Sequence, residues 1–170
     1  SGEDRARVRQ TIQQALSLTR SSLEEARRSV MDLRAAVLEG HTLAEGLSAL
    51  AADWSEQSGV EIAVEITGGS PLSLRVEAGL YRIAQEALTS IQRHADARHA
   101  RLELIAIPQQ ASLIVVDDGR GFDPERMPKG HYGLIGLRER VRLLGGTLHL
   151  QSSPGVGTSL TVIIPLEEGS

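Results

Sequence analysis

Three features of this 170-residue chain predict an α+β fold, a mixed β-sheet with helices on one face preceded by a long helical extension. Residues 3 to about 38 contain neither glycine nor proline, and apolar residues recur there at spacings of three and four. From residue 43 onward, three helix-like runs are interspersed with five strand-like runs. Glycine- and proline-containing segments punctuate the joins, among them Gly68-Gly69, Gly145-Gly146 and Ser152 to Gly157.

In the opening segment Val8, Ile12, Ala15, Thr19, Leu23, Ala26, Val30, Leu33 and Val37 form a coiled-coil-like stripe flanked by Arg and Glu. A helix cannot bury such a stripe alone, so it either bundles with other chains or folds back on its own domain. Gly40 closes it. A helix from about Leu43 to Ser58 follows, and Val60 to Ile66 alternates with period two as a strand. Leu80, Ile83, Ala84, Ala87, Leu88 and Ile91 mark an amphipathic helix from Val76 to about His94. Strands near Arg101–Ile107 and Ser112–Asp117 meet at a turn around Gln109-Gln110. Residues 123–132 read as a loop, and Leu134–Leu144 as a helix stopped by Gly145-Gly146. Thr147–Gln151 and Thr158–Pro165 are the last two strands.

Composition narrows the class. Apolar residues make up 41% of the chain and aromatics only 2%, so the core must be aliphatic. There is no cysteine, which excludes disulfides and thiolate metal sites. No apolar run approaches the roughly 18 residues of a membrane span, and no signal-peptide pattern opens the chain. The expectation is a soluble, cytoplasmic piece. A net charge of −4, with Lys129 the single lysine, gives no support for nucleic-acid binding.

The chemistry-bearing motif is Asp117-Asp118-Gly119-Arg120-Gly121-Phe122-Asp123, directly after the apolar strand Leu113 to Val116. Glycine lacks a Cβ, so this stretch either makes an ordinary strand-to-loop turn or brings backbone amides close to a ligand. Upstream, Glu86, Ser90 and Arg93 fall at i, i+4 and i+7 on one helical stripe beside the apolar face. Carboxylate and hydroxyl oxygens suit Mg²⁺, and a guanidinium opposes phosphate charge. The alternative is a solvated helix face. His94 either touches a phosphate or favours the C-terminal end of its helix as a cation. His41, His99 and His149 have no partners at metal-ligand spacing, and His131 lies in a loop.

Tyr81 to Ser90, running into Arg93-His94-Ala95, resembles the N box of histidine-kinase ATP-binding domains. Within that family the closer likeness is to sensor kinases that partner response regulators of the NarL type. Asp117 to Asp123 is similar to the first glycine box, Gly133-Leu134-Ile135-Gly136-Leu137-Arg138-Glu139-Arg140 to the second, and Gly155-Val156-Gly157-Thr158 to the last glycine-threonine element. Together they cover roughly residues 75–165 in the family's order. Ser22 to Arg34 resembles the second helix of the family's dimerisation domain, where two helices per protomer make a four-helix bundle.

The resemblance implies a GHKL-type ATPase, a two-layer α/β sandwich, over residues 41–170, with residues 1–40 as the second helix of a dimerisation and histidine-phosphotransfer bundle. It implies ATP and Mg²⁺ as ligands. Asp117 would accept from the adenine amino group, with Thr158 near it, and Gly119 and Gly121 would admit the nucleotide. Residues 123–132 would be a short lid, while Gly133 and Gly136 would open a helix whose amides face the phosphates. Arg93 and His94 would contact phosphate, and Glu86 and Ser90 would serve Mg²⁺, Glu86 polarising its bound water. The absence of a P-loop string agrees with this.

Two departures stand out. Ser90 replaces the family's usual Asn, which predicts weakened metal binding. None of the five histidines lies in an Arg-Glu-Leu-His-Asp-like segment, so the phosphoacceptor is expected outside this chain, on a missing first helix. The expected function is that of an ATP-dependent protein histidine kinase fragment, homodimeric through its bundle, reaching a membrane only through upstream segments. A nucleotide-binding regulatory module with impaired catalysis is the alternative. A GHKL kinase of the anti-sigma type, acting on serine, is a third reading, and the long heptad helix opposes it.

Overall fold

The computed structural model describes residues 8, 11–16, 18–19, 38, 40–126 and 132–166. The chain divides into two compact units, Ser1–Glu39 and Gly40–Ser170. In the first unit the described residues are helical, and Val8, Ile12, Leu16 and Leu18 are all more than half exposed. The segment Ser22 to Arg34, the rest of the apolar stripe from Leu23 to Val37, Lys129 and His131 lie outside the described residues.

In the second unit, α1 (Leu43–Ser58) starts at a capping box: Thr42 Oγ1 accepts from the Glu45 amide at 3.2 Å, and Glu45 Oε2 accepts from the Thr42 amide at 2.8 Å. It stops at Gly59, whose φ of +74° is the left-handed turn that ends many helices. Then come β1 (Glu61–Gly68), α2 (Leu74–His94), β2 (His99–Ile107) and β3 (Gln110–Asp117). A 3₁₀ turn at Pro124–Arg126 leads toward α3 (Tyr132–Leu143), followed by β4 (Thr147–Ser153) and β5 (Gly157–Pro165). Every element predicted from residue 43 onward is present. The differences are at ends: α2 and α3 each start two residues early, and the loop after Asp123 contains the 3₁₀ turn.

The five strands lie in the order β1-β2-β3-β5-β4, with β1 and β2 parallel and the other pairs antiparallel. This is the mixed sheet that the alternating runs predict, α2 supplying the crossover that a parallel pair needs. Period-two burial separates the faces. Leu102, Val115, Leu160 and Leu150 form one cross-strand row that joins the core, and Arg101, Val116, Ser159 and Gln151 form the next row on the opposite face. The helices cover only the first face, through Leu47 and Trp54 of α1, Leu80, Ile83 and Leu88 of α2, and Leu137 and Val141 of α3. A fully buried aliphatic side chain contributes about 1.5–3 kcal/mol, which makes this aliphatic layer the main source of stability.

Two contacts place the helices that matter for the site. Trp54 Nε1 donates to the Leu88 carbonyl at 2.9 Å and ties α1 to the middle of α2. Arg75 donates to the Leu143 carbonyl, and a Cβ on Gly79 would come within 2.5 Å of the Leu144 side chain. The end of α3 is thus clamped to the start of α2. The start of α3 lies beside the interior of α2, a Cβ on Gly133 standing 3.3 Å from Glu86 Oε1, so the two helices run antiparallel.

Candidate functional site

The site gathers where β3 ends. Asp117 falls on the core face because Leu113 and Val115 do, and it is 6% exposed. Its Oδ1 accepts from the Gly119 amide at 2.8 Å. Burial pushes its carboxyl above the usual range, while the Gly119 and Thr158 amides pull it partly back. Asp118, one residue on, faces the other way and is exposed. Its Oδ1 accepts from the Arg98 and His99 amides at 2.8 and 2.9 Å, and its Oδ2 lies 2.7 Å from His99 Nδ1. These bonds hold its pKa down at about 2. Strand alternation therefore gives two neighbouring acids opposite characters: one buried and destabilised as an anion, the other spent on anchoring β2.

The glycines after Asp117 are explained first by the protein's own backbone. A Cβ on Gly119 would stand 2.3 Å from the Ala95 carbonyl oxygen, and one on Gly121 would stand 2.0 Å from that of Ser153. A Cβ on Gly157 would stand 2.1 Å from the Asp117 carbonyl oxygen, and Gly157 has φ +108°. The loop is threaded between the end of α2 and the β4–β5 hairpin. The Arg120 amide donates to Ala95 O and the Gly155 amide donates to Arg120 O, each at 2.7 Å. Phe122 N donates to Ser152 Oγ at 2.9 Å. Closeness of approach, the property read from these glycines, is used here between chain segments.

The α3 glycines differ. A Cβ on Gly136 would meet nothing within 4 Å, and one on Gly133 would meet only Glu86. Gly136 has no positive φ and sits in a helix, where glycine costs about 1 kcal/mol relative to alanine. Among the described residues nothing requires it. The space above Gly136, in the first turns of α3, is open.

Glu86, Ser90, Arg93 and His94 are all exposed on α2. His94 is the last residue of α2 and sits in its basic last turn. An open cavity of about 580 Å³ lies at the sheet's end, lined by Asp117, Thr158, Pro124, Leu150, Ser152 and Val156 among others. The structure thus brings Asp117 and Thr158 to one cavity and Glu86 beside Gly133, whereas Glu86, Ser90, Arg93 and His94 do not line that cavity. Among the described residues, no group of three or more His, Cys, Asp or Glu is arranged to hold a metal ion, and no helix is long and apolar enough to cross a membrane. A Glu and a Ser at i, i+4 still suit Mg²⁺, which keeps several waters and takes phosphate oxygens rather than a full protein cage.

Sequence reasoning missed Ser152, Ala95 and Asp118. Ser152 reads as one of several turn residues, yet its hydroxyl meets Phe122, Gly157 and Thr158. No local pattern signals this, because Phe122 lies 30 residues away.

Residues 75–168 match the family model described as the histidine kinase-, DNA gyrase B-, and HSP90-like ATPase. The chain is 31% identical over 156 residues to the signal transduction histidine-protein kinase/phosphatase DegS of Brevibacillus brevis, covering 91% of this chain and 40% of that protein. It is 34% identical over 142 residues to the sensor histidine kinase LiaS of Bacillus subtilis, covering 84% of this chain and 39% of that protein. It spans about two fifths of the length of these relatives. Its fold is similar to the histidine kinase domain of a blue-light activated histidine kinase from Erythrobacter litoralis, with a TM-score of 0.61 and 22% identity over 81% of this chain and 70% of that one. A mixed sheet covered on one face by helices, with its loop glycines packed around a buried strand-end acid and a family match across the whole of that region, leads to one assignment: the chain belongs to the histidine kinase-, DNA gyrase B-, and HSP90-like ATPase family.

Proposed function

We propose that residues 41–170 form the ATP-binding catalytic domain of a sensor histidine kinase, and that residues 1–40 are the second helix of its dimerisation bundle. The observation that carries this reading is the buried Asp117, which stands opposite Thr158 in the sheet, both residues lining the cavity at its end. A buried acid without a cationic partner is costly, and an amino group on a purine is a donor that would offset that cost. Asp117 accepts from the adenine amino group. Gly119, Gly121 and Thr158 shape the base end, Gly133 and Gly136 leave room at the start of α3 for the phosphates, and Arg93 and His94 oppose phosphate charge. Glu86 and Ser90 hold Mg²⁺ through oxygen, Ser90 more weakly than the usual Asn. The ion would supply charge neutralisation on the phosphate oxygens.

The reaction is transfer of the γ-phosphoryl group to a histidine nitrogen of the first bundle helix. The bond from the γ-phosphorus to the β–γ bridging oxygen breaks, a P–N bond forms, and ADP leaves. The protein's part is positioning and electrostatic stabilisation. A response regulator of the NarL type receives the phosphoryl group in turn. Homodimerisation runs through the helical bundle, and the whole sensor meets the membrane, where it does so, through other segments.

Isothermal titration of the chain with ATP and with GTP, each with Mg²⁺, tests the reading. Saturable binding of ATP with weaker binding of GTP is expected. Absence of ATP binding, or equal affinity for both, would overturn it.

A further inference from the structure

Ser152, Thr158 and Asp117 form a single cross-strand row, Ser152 of β4 opposite Thr158 of β5 and Thr158 opposite Asp117 of β3. All three line the cavity at the end of the sheet. A serine hydroxyl has one proton and two acceptor positions. The proton of Ser152 goes to the Gly157 carbonyl at 3.0 Å, and one acceptor position takes the Phe122 amide at 2.9 Å. The contact of 3.0 Å with Thr158 Oγ1 has one consistent direction left: Thr158 donates and Ser152 accepts. Ser152 is then saturated. The Thr158 proton is committed, so its oxygen can offer the cavity only lone pairs.

From this we infer that Ser152 is a positioning residue that fixes the hydrogen-bonding polarity of Thr158, making the Asp117–Thr158 pair acceptor-only. This rests on the reading that the cavity takes the adenine of ATP. Asp117 alone would leave Thr158 free to rotate and donate to a carbonyl on the base. With Ser152 in place, carboxylate and hydroxyl present the same polarity. With the 6-position of the base facing that pair, an amino group brings donors to it, whereas an oxo group brings an acceptor that neither group satisfies and leaves only the neighbouring N1–H as a donor. Ser152 therefore contributes to base discrimination without touching the base, and it also ties the loop at Phe122 to the β4–β5 hairpin.

The test compares binding of ATP and inosine triphosphate, with Mg²⁺, by titration calorimetry on the whole chain, for wild type, Ser152→Ala and Ser152→Thr. One neutral hydrogen bond changing hands corresponds to about three- to tenfold in affinity. The preference for ATP over inosine triphosphate should fall by about that factor in Ser152→Ala and stay near wild type in Ser152→Thr, which keeps the hydroxyl. A purely structural role would weaken both ligands together; an unchanged ratio in Ser152→Ala, with the wild-type preference intact, overturns the role of Ser152 alone. If wild type shows no preference for ATP, the adenine reading fails and this inference with it. Should Ser152→Ala not fold, Ser152→Cys keeps the volume with a much weaker acceptor, and the same loss of preference is expected.

Discussion

At the scale of single residues, Asp117 is a buried acid that costs the ligand-free fold stability. Its pKa is raised, chiefly by burial, so its anion is disfavoured in the folded state. The sign follows: at pH above the raised value the ionised group destabilises the ligand-free fold, and the cost is relieved as pH falls through that value. Asp117→Asn removes the buried charge and keeps an oxygen for the Gly119 amide. Melting of the ligand-free variant at neutral pH should give a Tm equal to or above wild type. ATP affinity should fall by about 10- to 150-fold, on the order of 1.5–3 kcal/mol. A lower Tm with unaltered affinity would show that Asp117 is a structural acid. This residue was legible in the sequence because an acid ending an apolar strand and followed by glycines is locally odd. Ser152 was not, since a serine beside a turn is common.

At the scale of elements, the glycines of the motifs separate into two kinds. Gly119 and Gly121 of the β3 loop and Gly157 of the β4–β5 hairpin let backbones touch, whereas Gly136 of α3 has open space above it. Alanine at the two kinds of position should act in opposite directions. Gly157→Ala forces a side chain into φ +108° and against the Asp117 carbonyl, so denaturant unfolding should show a loss of about 2–4 kcal/mol. Gly136→Ala should gain up to about 1 kcal/mol of stability from helix propensity and weaken ATP binding in the same preparation. Equal behaviour of the two variants would refute the distinction. The sequence marks both sets as glycine motifs; which neighbour each glycine admits depends on elements that meet only after the sheet has formed.

At the scale of the whole molecule, the bonds of Asp118 to Arg98 and His99 join the exit of β3 to the start of β2 and should contribute to acid stability. Its folded pKa is lowered from 3.8 to about 2, so its contribution is present above the ordinary value and is lost as pH falls between the two. Urea midpoints measured between pH 5 and about pH 2.5 should drop for wild type, and the drop should be shallower for Asp118→Ala. A parallel pH course would remove Asp118 from the account. The sequence by itself determined the elements, their order and the family resemblance of the motifs, because periodicity, capping residues and glycine punctuation are local properties. The tertiary structure decided what those motifs do to one another. β5 inserts between β3 and β4, and only that order sets Ser152, Thr158 and Asp117 in one row. A hydrogen bond between residues 30 positions apart has no imprint on the chain between them; it exists because the sheet brings two distant ends together.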